Sequence, residues 1–268
     1  MKRIQLFEFE DFSWFPTSVR TGMTNLIEVL HRMMGISKVL SNHLAGILKE
    51  NNLKQIVDLG SGSGGCMPDI LEQLHQTDGL QHVQLLITDL YPNKKIIEKF
   101  AADGNPKTSY HHSSVNATDL SQVPAGLKTM VNSFHHMPPK AARQILKTAK
   151  DNNEPILIYE MAENNMPLLL WWLLLPISLV LLVVMVFFMT PFVKNLTLKQ
   201  VLLTYLIPVI PICYAWDGQA SLPRMYAMKD MDVLLNGLHS DTYSWSKGPA
   251  LRANGKPLGT YLLGMPKA

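Results

Sequence analysis

The chain has 268 residues, with 24 Lys and Arg against 21 Asp and Glu, giving a formal net charge of +3. So small an excess, with no basic block, excludes nucleic acid as an expected partner. The only cysteines, Cys66 and Cys213, support neither a disulfide framework nor a cysteine zinc site, and they fit a reducing compartment.

In chain order, Met1-Lys2-Arg3 is followed by Glu8, Glu10 and Asp11. No apolar core of signal-peptide type is present, which argues against export. Phe12-Ser13-Trp14-Phe15-Pro16 then opens a run with apolar residues at Met23, Leu26, Ile27, Leu30 and Met34. That periodicity predicts an amphipathic helix beginning near Thr17, and a second helix over residues 37–49 leads to the first strand. Residues 1–50 are thus expected to form a helical cap. Its aromatic side chains suit core packing, and Phe12, Trp14 and Phe15 also suit a bilayer surface.

Residues 56–65 read Ile-Val-Asp-Leu-Gly-Ser-Gly-Ser-Gly-Gly: a short apolar strand running into a glycine turn. Gly60, Gly62 and Gly64 have no Cβ and tolerate positive φ, so a ligand can approach main-chain N–H groups at a helix N-terminus. Taken alone, Gly60-x-Gly62-x-x-Gly65 also satisfies the dinucleotide fingerprint, with Asp89 24 residues beyond it. Asp58, two residues before the first glycine, sets a carboxylate at the strand end, which suits a cation better than a pyrophosphate. On these residues the chain resembles the class I S-adenosylmethionine-dependent methyltransferases, whose first motif is an apolar pair followed by Asp/Glu-x-Gly-x-Gly-x-Gly.

That resemblance implies a Rossmann-like, seven-stranded α/β sheet with helices on both faces and S-adenosyl-L-methionine as cofactor. It assigns Asp58, Gly60, Ser61, Gly62 and Gly64 to the cofactor loop. Residues 83–90 form a second strand whose terminal acid, Asp89, with Leu90, is expected at the ribose. Ser114 to Leu120 match the adenine loop, where Asn116 and Ala117 would contact the base, although the family most often has an acid at the position of Asn116. Residues 128–134 and 154–159 read as the fourth and fifth strands, with a helix over 138–150 between them, and Asn132 completes the expected cofactor set. Strands alternating with helices indicate a parallel, doubly wound sheet.

His135 and His136 directly follow the fourth strand, a position that in the family faces the transferred methyl, and imidazole titrates where a general base must. Glu160, ending the fifth strand, is a candidate substrate contact. No metal is expected: His111-His112 and His135-His136 are adjacent pairs, which rarely bind one ion together.

Residues 164–193 contain no formal charge, longer than the roughly 20 residues a transmembrane helix needs. A soluble core helix would keep a polar face, and this run has none. Trp171 and Trp172 suit the headgroup level. Because two terminal strands, expected at 242–247 and 259–265, must complete the sheet, the chain has to return to its starting side. The second uncharged stretch, residues 200–216, contains Pro208 and Pro211, which interrupt helical hydrogen bonding. Lys194 and Lys199 would also have to cross. A re-entrant or interfacial insertion over 164–216 is therefore the expectation, leaving the fifth strand at the ligand edge of the sheet.

Residues 51–163 and 217–268 would form the cofactor-binding core and its C-terminal part. The run from Trp216 to Tyr226 contains Asp217, Arg224 and Tyr226, read either as the entrance for a substrate's polar head or as an Asp-Gly turn with Arg224 paired to Asp217. The Asp-Gly-x-x-Ser-x-x-Arg-x-Tyr pattern after an apolar insertion resembles bacterial membrane-associated methyltransferases. The expected partners are a membrane and a small hydrophobic or lipid-like substrate, at the cytoplasmic face. Two alternatives stand beside this reading. An NAD(P)-dependent oxidoreductase would continue in parallel βαβ units, and a non-catalytic membrane adaptor would retain the fold without cofactor.

Overall fold

A computed structural model describes residues 1–121 and 123–267. By contacts the chain forms two compact units, one comprising Met1, Gly35–Ala162 and the segment from Met228 onward, the other Lys2–Met34 and Glu163–Ala227. The first N-terminal helix therefore groups with the apolar insertion and the second with the sheet, while the sequence suggested a helical cap over residues 1–50.

In the sheet unit, β1 (Gln55–Asp58), β2 (Gln84–Ile87), β3 (Thr108–Tyr110), β4 (Leu127–Val131) and β5 (Ile156–Glu160) are followed by the long pair β6 (Tyr243–Leu251) and β7 (Pro257–Pro266). They form one sheet in the order β3-β2-β1-β4-β5-β7-β6. The first five strands pair in parallel, with Val57 opposite Leu86 and Lys128, and Met130 opposite Ile158. The last strand instead runs antiparallel, seated between β5 and β6. This is not the continuing parallel βαβ order that the dinucleotide reading requires.

The parallel strands are short, and the central ones, β1, β4 and β5, are buried on both sides as crossover topology demands, while β2 and the edge strand β3 keep exposed residues. Around them lie α2 (Ile36–Glu50), α3 (Met67–His75), α4 (Lys94–Ala102), α5 (Pro139–Asp151) and, later in the chain, α9 (Met228–Leu235). Val39, Leu40, Leu44 and Leu48 of α2 join Met67, Ile70 and Leu74 of α3 and the strand residues Ile56, Leu85 and Leu157 in one core. Spacings of three and four residues in α2 and α3 bring those side chains to one face. Strand and helix bounds differ from the expected ones by a few residues. The largest differences are at the ends of β4 and β6: Phe134 belongs to a 3₁₀ turn (Phe134–His136), and β6 runs on to Leu251.

The second unit contains α1 (Thr17–Met34), α6 (Leu168–Met189), the short α7 (Leu198–Val201), a π-helical turn (Leu202–Leu206) and α8 (Val209–Arg224). Its core joins Val19, Met23, Leu26 and Val29 of α1 to Val186 and Met189 of α6 and Ile210 of α8. The helix extended to Leu168–Phe192 has mean hydropathy 2.8, with 22% of its most apolar window buried, so it is long and apolar enough to cross a membrane by length and composition. The stretch after it is bent by 78° between Leu206 and Val209. Pro208 sits at that break, while Pro211 is tolerated in the first turn of α8, where no helical acceptor awaits its nitrogen.

Candidate active site

The site builds from the C-terminal ends of β1, β2, β4 and β5. Asp58 ends β1 almost wholly buried, and its side chain braces the turn that follows. Thr129 Oγ1 of β4 donates to Asp58 Oδ1 at 2.5 Å, and Ser61 Oγ lies against Asp58 Oδ2. Ser61 N also donates to Thr88 O at 3.0 Å, tying the turn to the end of β2. Burial pushes the Asp58 carboxyl up to about 7, aided by the charge of Asp89 and opposed by the hydroxyls of Ser61 and Thr129. Its hydrogen bonds thus fix the loop's shape.

Gly60, Gly62, Gly64 and Gly65 all have positive φ, from 51° to 93°. A Cβ at Gly62 or Gly65 would meet nothing within 4 Å, so the backbone there faces open space, while one at Gly64 would press Ile87 at 3.0 Å and Phe100 at 3.1 Å. The loop is therefore tight beneath and open above. Gly62 N donates to Asp89 Oδ2 at 2.8 Å, and Tyr91 N donates to Asp89 Oδ1 at 2.8 Å. Each oxygen of the half-buried Asp89 keeps a lone pair, the capacity a vicinal diol needs. Tyr110 of β3, whose hydroxyl donates to Gly62 O at 2.9 Å, supports the same turn.

Next to the glycine loop, Ser133 Oγ is buried without a hydrogen-bond partner among the described residues and lies 3.9 Å from where a Cβ of Gly60 would be. An orphaned hydroxyl beside a Cβ-free cradle suits a polar ligand. Asn132 has φ 52°, and its Oδ1 accepts from Met161 N at 2.7 Å, locking the exit of β4 to that of β5. In the adenine-loop segment, Asn116 Oδ1 accepts from Thr118 N at 3.0 Å, forming a local turn that contains Ala117. Val115 N donates to Asp89 O at 2.9 Å, and Ser114 Oγ donates to Leu90 O at 2.6 Å. These bonds draw the expected ribose and adenine segments together.

At the ends of β4 and β5, His135 N donates to Glu160 Oε1 and His135 Nδ1 meets Glu160 Oε2, each at 2.9 Å. Both side chains are almost fully buried. Two contacts from one carboxylate fix the imidazole's position and its Nδ1–H tautomer, so Nε2 is the basic nitrogen. Glu160 is thus a partner of His135 as well as a strand-end acid. The His136 ring lies 4.3 Å from that of His135. Gly259 makes this corner possible: at φ +84°, a Cβ there would come within 2.3 Å of Glu160 O.

Asp217, Arg224 and Tyr226 belong to the second unit, and each has a partner in the N-terminal segment. Phe9 N and Glu10 N donate to the two oxygens of Asp217 at 2.8 and 3.2 Å. Arg224 Nη1 reaches Glu8 Oε1 at 3.0 Å and Asp11 Oδ2 at 2.6 Å. Arg3 lies over the Tyr226 ring, 4.9 Å from its centroid. Asp217-Gly218 falls inside α8 and not in a turn, and the partners of Arg224 are Glu8 and Asp11, not Asp217. Sequence reasoning missed these ties because they join residues more than 200 positions apart. It also missed Thr129, Ser133 and Tyr110, whose only sequence signal is a polar residue within or just after an apolar strand.

A cavity of about 460 Å³ lies at the opposite ends of β1 and β2, lined by Lys54, Gln55 and Gln84. It is an open depression away from the glycine loop, so volume alone does not mark the site.

The strand order with its antiparallel β7 is that of the Rossmann-like methyltransferase fold. The plantazolicin methyltransferase BpumL, solved in complex with SAH, matches over 95% of this chain and 92% of its own, with TM-score 0.54 and 11% identity. The same enzyme with a monoazolic desmethylPZN analog and SAH matches over 93% and 97%, with TM-score 0.51 and 9% identity. At such identity the likeness is one of fold. No protein-family model matches the chain, and no curated protein matches it.

Proposed function

We propose that the protein transfers a methyl group from S-adenosyl-L-methionine to a hydrophobic or lipid-like acceptor at the cytoplasmic surface of a membrane. The observation that carries this reading is the glycine loop, open above Gly62 and Gly65 and bonded to Asp89, on a sheet whose last strand is antiparallel. The SAH in the BpumL structures supports the choice of cofactor. Residues 60–65 would hold the donor's amino-acid part, Asp89 its ribose, and Ser133 has a hydroxyl to offer a polar group of the ligand.

S-adenosylmethionine supplies a methyl on a sulfonium sulfur, displaced in line by the acceptor's lone pair, so the acceptor–carbon bond forms as the sulfur–carbon bond breaks. The chain's residues align the reactants and exclude water. A proton released by a protic acceptor passes to Nε2 of His135, and Glu160 stabilises the resulting imidazolium. His136 flanks that ring and shapes the acceptor side. The apolar insertion begins within eight residues of Glu160, which brings the membrane-facing segment and the catalytic strand end close along the chain.

Titration calorimetry with S-adenosylmethionine tests the first step, and absence of binding would overturn the enzyme reading in favour of the adaptor. Incubation of purified protein and membrane lipid extract with methyl-labelled donor tests the second. Label is expected in the organic phase, in a product heavier by one CH₂, and label confined to water-soluble products would refute the lipid-like acceptor.

A further inference from the structure

The longest helix of the second unit is two-sided in an unusual sense. Along α6 and the turn that extends it to Phe192, Leu169, Leu173, Ile177, Leu181, Phe188 and Phe192 follow at intervals of four and seven residues and, with Val180 and Val184 beside them, form a broad exposed face, with Leu169 84% and Phe188 73% exposed. Two residues out of phase, on the opposite side, Trp171, Leu175, Val186 and Met189 are buried. The helix bears no charge on either side, so the open stripe has no affinity for water. Such a length of apolar surface exceeds what a soluble monomer leaves uncovered. The occupant that fits an uncharged strip running the whole length of a helix is the hydrocarbon of a bilayer.

Spanning would separate the two ends of α6 by the full membrane, and the covalent structure opposes that. Twenty-two residues give a helix about 33 Å long, comparable to the roughly 30 Å hydrocarbon core. Its first residue follows Ala162, the end of a segment of the sheet unit, by six positions, a reach of about 20 Å. At its other end, Arg32 Nη2 donates to Phe192 O at 2.9 Å, and Arg32 precedes Gly35, where the sheet unit resumes, by three positions, about 10 Å of chain. The folded sheet unit begins or ends within a short tether of both ends of α6. A helix across the bilayer would require that unit to be on both sides.

The companion helix gives an independent reason. α1 packs on the C-terminal half of α6 through Val19, Met23, Leu26 and Val29, yet it carries Arg20, Glu28 and Arg32. Those charges would have to enter the hydrocarbon with α6, at a cost of several kcal/mol each. At the surface they remain in water.

We infer that α6 lies in the membrane plane, sunk by its Leu169–Phe192 stripe into one leaflet, and that residues 194–199 stay on the same side of the bilayer as the sheet unit. The arrangement is monotopic, with burial about 5–10 Å deep. It rests on the membrane part of the proposed function, and on nothing in the methyl-transfer part.

The test uses the full chain, whose Cys66 and Cys213 are both buried and give little background. Asn195→Cys reports on the segment after α6, and Asn254→Cys, in the exposed turn between β6 and β7, reports on the sheet unit. Membranes of the expression host are treated with a membrane-impermeant maleimide, either as intact spheroplasts or as inverted vesicles. Both positions are expected to react in inverted vesicles and neither in spheroplasts. Reaction of Asn195→Cys from the spheroplast side alone, or from neither side, overturns the in-plane arrangement, and Lys199→Cys serves if the first variant does not accumulate. If the wild-type chain fails to sediment with membranes, this proposal and the lipid-surface reading fall together. Calorimetry with S-adenosylmethionine on the same preparation reports whether methyl transfer stands without them.

Discussion

The two units place their polar groups for different ends. In the sheet unit, Asp89 accepts from Gly62 N of the glycine loop on one oxygen and from Tyr91 N on the other, and Glu160 aims an imidazole. In the second unit, Asp217, Glu8, Asp11 and Arg224 are turned on one another and on the backbone of residues 9 and 10. In the proposed reading the same residue types would act on a ligand in one unit, and they tie an N-terminal segment to α8 in the other. A carboxylate near a proposed site is informative only when its partners leave it capacity to bind something else.

Removing the groups assigned to chemistry should affect the sheet unit most. His135→Ala is expected to lower kcat about 10²- to 10⁴-fold with a protic acceptor while donor affinity holds. Glu160→Gln should retain the ring's position but lose its charge partner, with a smaller loss and a displaced pH–rate profile. Unchanged turnover in His135→Ala would reduce the histidine to packing. The corresponding test of the second unit is Arg224→Met. It removes the buried guanidinium that pairs with Glu8 at 3.0 Å, and breaking such a pair costs about 3–5 kcal/mol, so thermal unfolding and proteolysis near the N-terminus should both occur earlier. If Arg224 instead served an acceptor, KM would rise with no change in the unfolding midpoint.

How much of this was legible in the sequence follows from how local each feature is. The glycine loop, Asp89 and the alternation of strands and helices depend on residues close in the chain, and the strands given bounds from sequence fell within a few residues of them, whereas the short β3 had none. The His135–Glu160 pair joins the ends of two adjacent parallel strands 25 positions apart. The neighbouring of β4 and β5 followed from the fold, but the rotamers that bring the two side chains together did not. Ties between residues 3–11 and 217–226 were not readable, because no periodicity links an N-terminal segment to a helix more than 200 residues later. The apolar run was visible as uncharged sequence, and the Arg32–Phe192 contact and the packing of Val186 and Met189 show where its far end is held.

Within the sheet unit the comparison sharpens further at Asp89. If its remaining lone pairs bind the donor, Asp89→Ala should weaken S-adenosylmethionine binding roughly 10- to 100-fold, the worth of hydrogen bonds to a charged group. It should also loosen the Gly62 turn, so the binding enthalpy falls together with affinity. Asp89→Asn, which keeps an oxygen for one of the two backbone donors, should lie between. Equal affinity in all three would mean that Asp89 only braces the loop, and the distinction drawn between the two units would vanish at its clearest residue.

A pH-dependent effect is expected at Asp58, which is buried at the C-terminal end of β1. Its carboxyl titrates near 3.8 when exposed and at about 7 in the folded chain. Between those values the folded protein holds a proton that the unfolded chain has released, so stability is greatest below about pH 4 and declines as pH rises to about 7. Asp58→Asn removes the titration while keeping a side-chain oxygen for the neighbouring hydroxyls, Ser61 and Thr129. The unfolding midpoint of wild type relative to the variant should therefore fall across that window and level off above it. Saturating S-adenosylmethionine, whose ammonium and sulfonium favour an ionised neighbour, should flatten the decline if Asp58 senses the ligand. A parallel pH dependence in wild type and variant would show that the carboxylate does not titrate there, leaving its burial a matter of loop bracing alone.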